Sequence, residues 1–74
     1  MNIIERLKLE GLEVNREYDF FIVEDSEGHI ATLDIEDDMV EIMGNDGSVD
    51  NHHINQDNMI VYSVLSALDY EFDE

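Results

Sequence analysis

The chain has 74 residues and a formal net charge of -17, with 20 acidic residues against three lysines and arginines. This balance excludes binding to nucleic acids or anionic membranes by the usual route, in which many cations neutralise phosphates. The sequence has no cysteine, no signal segment at its start and no apolar run near the roughly 20 residues of a membrane span. We therefore expect one cytoplasmic domain over residues 1–74, too small to enclose a catalytic cleft.

The first predicted element is a short amphipathic helix. Asn2 is a suitable N-cap, Leu7 belongs to the apolar face, and Gly11 is a suitable C-terminal stop. Leu12 and Val14 then alternate with polar residues. This pattern is typical of an extended lead-in or of the hydrophobic contact that follows a glycine stop, and it predicts no strand.

Residues 18–43 are predicted to build the core, since 43% of the chain is hydrophobic and this segment alternates apolar runs with acidic turns. Strands are predicted at 18–23, 29–35 and 39–43. The turns between them favour tight reversals, so the strands form an antiparallel meander. The positions assigned a structural role are Phe20, Ile22, Ala31, Leu33, Ile35, Val40 and Ile42.

The chain after the meander fits two interpretations before a second helix begins. Ser48 and Val49 could start a fourth, edge strand, while the polar run 50–55 fits a loop equally well. From Asn55 a helix is predicted to about Tyr70. Its apolar positions are Val61, Val64, Leu65, Leu68 and Phe72. The predicted fold class is α+β, a three-stranded or four-stranded meander between two helices, in the order α-β-β-β-α.

Catalytic and metal sites find little support in the sequence. There is no cysteine nucleophile, and the serines lack a strained elbow motif. His52 and His53 are adjacent, but neighbours on an extended chain point in opposite directions, so one ion rarely takes both. A calcium-loop template starting at Asp46 lacks the turn glycine and the bidentate glutamate. We expect no enzymatic activity, no metal and no cofactor.

Carboxylates are concentrated in four clusters. They are Glu24, Asp25 and Glu27; Asp34, Glu36, Asp37, Asp38 and Glu41; Asp46 and Asp50; and Asp69, Glu71, Asp73 and Glu74. One such cluster is usually a solvated surface, but four on so small a body produce a field that steers and binds a basic partner. The preferred contact is the second cluster, at the opposite end of the strands from the first and with the third beside it.

In its small size, acidity, absence of cysteine and predicted helix, meander, helix order, the chain resembles acidic phage-encoded inhibitors that imitate DNA. These include anti-restriction proteins, uracil-DNA glycosylase inhibitors and some anti-CRISPR proteins. The resemblance covers the whole chain as a class and rests on no short motif. It implies a non-enzymatic inhibitor in the host cytoplasm. Such an inhibitor fills the nucleic-acid-binding cleft of a basic nuclease or effector complex and does not contact nucleic acid itself.

An adaptor or antitoxin-like module is the alternative function. It would bind through apolar surface, with acidity serving steering and solubility. The candidate anchors are Phe20 or Phe21, whichever faces outward, with Tyr62, Tyr70 and Phe72. Because both faces of the strand at 18–23 carry apolar residues, a homodimer through the sheet or an edge strand is also compatible with the sequence. Halophilic adaptation is a third explanation of the charge, ranked last.

Overall fold

Five strands form one antiparallel sheet in chain order, and two helices cover one of its faces. A computed structural model describes residues 2–44 and 47–70, without the side chains of residues 69 and 70. The elements are α1 (Ile3–Leu9), β1 (Glu13–Glu17), β2 (Phe20–Glu24), β3 (Ile30–Glu36), β4 (Met39–Met43), β5 (Val49–His53) and α2 (Asp57–Tyr70). The α+β class is confirmed. The predicted order α-β-β-β-α is wrong, because the sheet has five strands rather than three or four.

The two strands beyond the predicted meander are the edges of the sheet. β1 has the sequence EVNRE and β5 the sequence VDNHH, so neither shows the apolar alternation that identifies a half-buried strand. They form because β2 and β4 offer ladders of hydrogen bonds on their outer sides. In β1, Val14 pairs with Val23 and is its one residue packed against the core.

Helix α1 begins and ends as the sequence predicts. The side chain of Asn2 accepts a hydrogen bond of 2.9 Å from the backbone N–H three residues later. At the other end Gly11 has a φ of 91°, a value that side chains disfavour. The N–H of Leu12 donates to the carbonyl of Leu7 at 3.3 Å, and that of Gly11 donates to Lys8 at 3.0 Å. This pair of bonds is a Schellman motif, which closes the helix and turns the chain into β1.

The hydrophobic core lies between the two helices and one face of the sheet. The buried strand residues are Val23, Ala31, Leu33, Val40 and Ile42, and the buried helix residues are Ile3, Leu7, Ile60, Val61, Val64, Ala67 and Leu68. Phe21 packs against this cluster and lies opposite Leu33. The structural role predicted for Ala31, Leu33, Ile35, Val40 and Ile42 is therefore confirmed, since Ile35 also packs against the cluster.

Three predicted positions differ in the structure. Phe20 and Ile22 lie on the face away from the helices, because the neighbouring Phe21 and Val23 face the core and strand residues alternate. Leu65 is 39% exposed on α2, where Ile60 takes a buried place instead. The predicted helix residue Phe72 lies outside the described residues.

Two tight turns connect β1 to β2 and β3 to β4. Tyr18 and Asp37 are the first residues of these turns and have φ values of 51° and 57°. Positive φ at this place suits the right-handed twist of a two-residue hairpin. Tyr18 was predicted as the start of a strand, and it instead reverses the chain with its side chain 90% exposed.

Residues 2–44 and 47–70 contain two helices, α1 and α2. Neither is long and apolar enough to cross a lipid bilayer.

Candidate functional site

The face of the sheet away from the helices, here called the open face, holds the candidate site. Strand pairing places its residues in four rows: Glu13, Glu24 and Ile30; Asn15, Ile22, Thr32, Met43 and Val49; Glu17, Phe20, Asp34, Glu41 and Asn51; and Glu36, Met39 and His53. Neither helix packs on this face, since the buried residues of every strand lie on the other side. Within residues 2–44 and 47–70, no helix covers the open face, which leaves it available to a partner.

Six carboxylates lie on the open face, and none of its described residues is a lysine or an arginine. Arg6 and Lys8 belong to α1, on the other side of the molecule. Arg16 lies opposite Phe21, on the helix-covered face, with its guanidinium carbon 5.9 Å from the ring centroid. The fold thus places Arg6, Lys8 and Arg16 away from the face on which the six carboxylates lie.

Two pairs of these carboxylates face each other directly across neighbouring strands. Glu13 pairs with Glu24, and Asp34 pairs with Glu41. Like charges in this position destabilise a sheet. Three of the four are half-buried, and none takes part in an ion pair within residues 2–44 and 47–70. These acidic pairs break a local rule of sheet formation without compensation in the described chain, which marks them as candidates for function.

An apolar row crosses the sheet between the two acidic pairs. It consists of Ile22, Thr32, Met43 and Val49, which are successive partners in the ladder. Met43 and Val49 are 38% and 46% exposed. Phe20 borders the row and, with Thr32, Asp34 and Met43, lines a shallow depression of about 310 Å³. The open face therefore combines an apolar centre with carboxylates on both sides.

The second predicted cluster is divided between the open face and a turn. Asp34, Glu36 and Glu41 lie on the open face, and with Met39 and Asn51 they line a depression of about 140 Å³. Three carboxylates of the predicted contact site are therefore brought together at one end of the sheet.

The remaining two residues of this cluster, Asp37 and Asp38, form the turn between β3 and β4. A carboxylate oxygen of Asp38 lies 3.2 Å from Nε2 of His53, and its carbonyl accepts the N–H of Ile54 at 2.7 Å. Asp38 therefore fastens the turn to the end of β5.

Asp50 does not join the second cluster as expected. It pairs with Ile42, so its side chain lies on the helix-covered side, whereas Glu41 is on the open face. The four other predicted contacts Asp46, Glu71, Asp73 and Glu74 lie outside the described residues, as does the side chain of Asp69.

The first predicted cluster has one residue on the open face, Glu24, and two in the turn before β3. In that turn Oδ1 of Asp25 accepts the backbone N–H groups of Glu27 and His29, each at 2.9 Å. Its Oδ2 lies 2.7 Å from Nδ1 of the buried His29. Burial raises the pKa of Asp25, but the hydrogen bonds from His29 and Glu27 lower it by a larger amount. The pKa of Asp25 therefore lies below its usual value. Asp25 therefore stabilises this turn.

Glu13 and Glu17 are open-face carboxylates that sequence reasoning missed. Both belong to β1, which was not predicted as a strand. Their spacing of four residues places them on the same face of any extended segment. That signal becomes meaningful once β1 is known to pair with β2.

A serine and a histidine also meet within the described chain. Nε2 of His52 lies 2.7 Å from Oγ of Ser63, which is 7% exposed on α2. Because Ser63 is buried between helix and sheet, the contact joins β5 to α2 and gives a substrate no access to the hydroxyl. Residues Val49–His53 of the calcium-loop template form β5, and Asp46, with which the template starts, lies outside the described residues. Among the described residues, no group of three or more acidic or histidine side chains has a geometry that could hold a metal ion.

Comparison of the chain with known proteins finds no matching family model, no matching curated protein and no matching solved structure.

Proposed function

We propose that the protein is a non-enzymatic acidic inhibitor whose open face occupies the nucleic-acid-binding cleft of a basic protein, such as a defence nuclease. The observation that carries the proposal is the two acidic pairs, Glu13 with Glu24 and Asp34 with Glu41, on a face without a lysine or arginine among its described residues. In a sheet, neighbours across strands are about 4.8 Å apart and alternate residues along a strand about 6.8 Å apart. On this lattice of strand positions the open face presents its carboxylates to a surface built for the phosphates of a nucleic acid.

The energetics of the acidic pairs favour a cationic partner. In the free protein each pair is mutually repulsive and part of a net charge of -17. A partner's arginine or lysine placed between two such carboxylates removes the repulsion and adds attraction in a medium less polar than water. The same charge distribution accelerates the encounter, so we expect fast association that slows as salt is added.

The proposed target is a cytoplasmic protein, in keeping with the absence of cysteine from this chain. The inhibitor competes with nucleic acid for the target. It does not bind nucleic acid itself, because its negative charge is repelled by the phosphates.

The apolar row supports a second candidate function, an adaptor or antitoxin-like module that binds mainly through apolar contacts. On the open face, Met39 is 42% exposed, Met43 is 38% exposed and Val49 is 46% exposed. Methionine side chains adapt to the shape of a partner, and exposed apolar surface of this kind is typical of interfaces. In this case the carboxylates steer the partner and keep the protein soluble.

Binding to purified basic DNA-binding nucleases, with and without competing DNA, tests the first function. The double variant Asp34→Asn, Glu41→Gln removes two charges from the open face, and Glu5→Gln, Asp50→Asn removes two charges elsewhere. We expect the first variant to weaken binding about tenfold or more, while the control changes it by less than about threefold.

The affinity of the unmodified protein should also fall as salt is added, and DNA should displace it from the target. An affinity that does not change with salt concentration, or a complex that still binds DNA, contradicts the inhibitor function. Loss of binding on Met43→Ser but not on the charge variant selects the adaptor-like module instead.

A further inference from the structure

The two acidic pairs lie diagonally opposite each other on the open face. Glu13 and Glu24 belong to β1 and β2, whereas Asp34 and Glu41 belong to β3 and β4. The pairs are separated by two strand spacings across the sheet and by two rows of side chains along it. On the lattice of strand positions their centres are therefore about 17 Å apart. An element of a partner that contacts both pairs must span this distance.

The apolar depression of the open face lies on the line between the two acidic pairs. Its lining includes Thr32 of β3, with Phe20 and Met43 on the neighbouring strands β2 and β4. The register places Thr32 near the middle of the line, and Phe20 and Met43 about 6 Å to either side of it. The depression has a volume of about 310 Å³, so it has room for an apolar side chain of the spanning element.

An α-helix has the dimensions that this arrangement requires, and an extended strand does not. A helix rises about 1.5 Å per residue, so about 11 residues cover the distance between the pairs and complete about three turns. Two basic residues at this spacing lie on the same side of the helix, together with apolar residues between them. A strand covers the distance in about five residues, and an odd number of steps points its two basic side chains in opposite directions.

We propose that the open face binds a basic amphipathic helix of its partner, which lies diagonally across β1 to β4. Each of two arginines or lysines of this helix lies between the carboxylates of one acidic pair, and an apolar residue between them enters the depression beside Thr32. The charges are complementary, since the four carboxylates have no ion pair within residues 2–44 and 47–70. This inference rests on the proposed function and narrows it, because DNA-binding proteins commonly place a helix in the major groove.

Two synthetic helical peptides of identical composition test the helix on the unmodified protein. In the first peptide, two arginines about 11 residues apart lie on one side, with leucines between them. In the second, a spacing of about nine residues places the arginines on opposite sides. Because the two peptides have equal charge, general attraction to the acidic protein is the same. We expect the first to bind at least about tenfold more tightly by isothermal titration calorimetry, and equal affinities overturn the proposal.

A variant that fills the depression tests where the helix lies. Thr32→Tyr leaves the net charge unchanged and occupies the space between Phe20 and Met43, so we expect it to weaken binding of the first peptide at least about fivefold. Ser66→Tyr, at an exposed position of α2, is the matched control and should leave binding unchanged. Circular dichroism checks that both variants keep the fold. A folded Thr32→Tyr protein that binds the first peptide with unchanged affinity overturns the proposal.

Binding to nucleases in competition with DNA separates this inference from the proposed function. A nuclease that the protein binds in competition with DNA, together with equal affinities for the two peptides, overturns the helix and leaves the inhibitor function standing. Preference for the first peptide, together with binding to nucleases that DNA does not reverse, supports the helix and contradicts the inhibitor function.

Discussion

The two faces of the sheet are built from the same strands but differ in what their side chains contact. On the helix-covered face, Leu33 and Val40 are fully buried among other apolar residues. On the open face, the residues one position away, Asp34 and Glu41, face each other as like charges. The comparison teaches that this chain keeps its stabilising contacts and its repulsive ones on opposite sides of one sheet. Truncation of a buried residue should therefore destabilise the protein, whereas neutralising one carboxylate of an acidic pair should stabilise it.

The largest effect is expected from truncation on the helix-covered face. Leu33→Ala should lower the free energy of unfolding by about 2 to 5 kcal/mol, because it leaves a cavity between Phe21 and Ile42 in the register. Met43→Ala on the open face is the matched control, with an expected loss below about 1 kcal/mol. Urea unfolding followed by circular dichroism measures both variants. Equal losses would mean that the open face is covered in solution.

A carboxylate with partners should behave in the opposite way to the acidic pairs. Asp25→Asn removes charged hydrogen bonds to His29 and Glu27, and we expect it to destabilise the protein by about 1 to 3 kcal/mol near neutral pH. Because the pKa of Asp25 is lowered in the folded state, its stabilising effect is present above the ordinary value of 3.8 and is lost as the pH falls through the folded value.

Unfolding of the unmodified protein and Asp25→Asn between pH 7 and pH 3 measures this dependence. We expect the difference in unfolding free energy to shrink below about pH 4. A difference that stays constant down to pH 3 would show that Asp25 acts through packing rather than through its charge.

The smallest effect is expected from relief of an acidic pair. Asp34→Asn should raise the free energy of unfolding by about 0.2 to 1 kcal/mol, since it removes a like charge opposite Glu41. Thermal unfolding at low and at high salt measures the gain, which should shrink when salt screens the repulsion. Destabilisation by Asp34→Asn at low salt would contradict the view that the pair is kept for binding at a cost in stability.

The helices and central strands could be predicted because their signals are local. The cap at Asn2, the stop at Gly11 and the apolar alternation of β3 act within a few residues, and the structure agrees with them. β1 was not predicted, and β5 was predicted only as one of two alternatives, a strand starting at Ser48 and Val49 or a loop. The residues of both strands are mostly polar, and the strands form through pairing with β2 and β4 rather than through their own apolar pattern. Propensity alone does not describe an edge strand.

The candidate site could be predicted only in part, because strand pairing decides on which face of the sheet a side chain lies. Apolar residues occur on both sides of β2, so alternation does not decide whether Phe20 or Phe21 faces the core, and the pairing of Phe21 with Leu33 decides it. The face of Asp50 likewise depends on register, since a shift of one residue moves a side chain to the other face. Glu13 entered the site only through its pairing with Glu24.

The strand order of the sheet, which follows the chain without a crossover, has a consequence for how fast the protein folds. Each strand pairs with the next, so every ladder closes over a short loop, and such local topology is associated with rapid folding. The sequence has no proline, which removes slow prolyl isomerisation from the unfolded chain. In the folded protein α2 packs on β3, β4 and β5 and so covers the core. Rapid pairing shortens the time for which the inner strands β2, β3 and β4 are exposed, whereas the outer edges of β1 and β5 have no neighbouring strand within the described residues and stay open to other molecules in the folded protein.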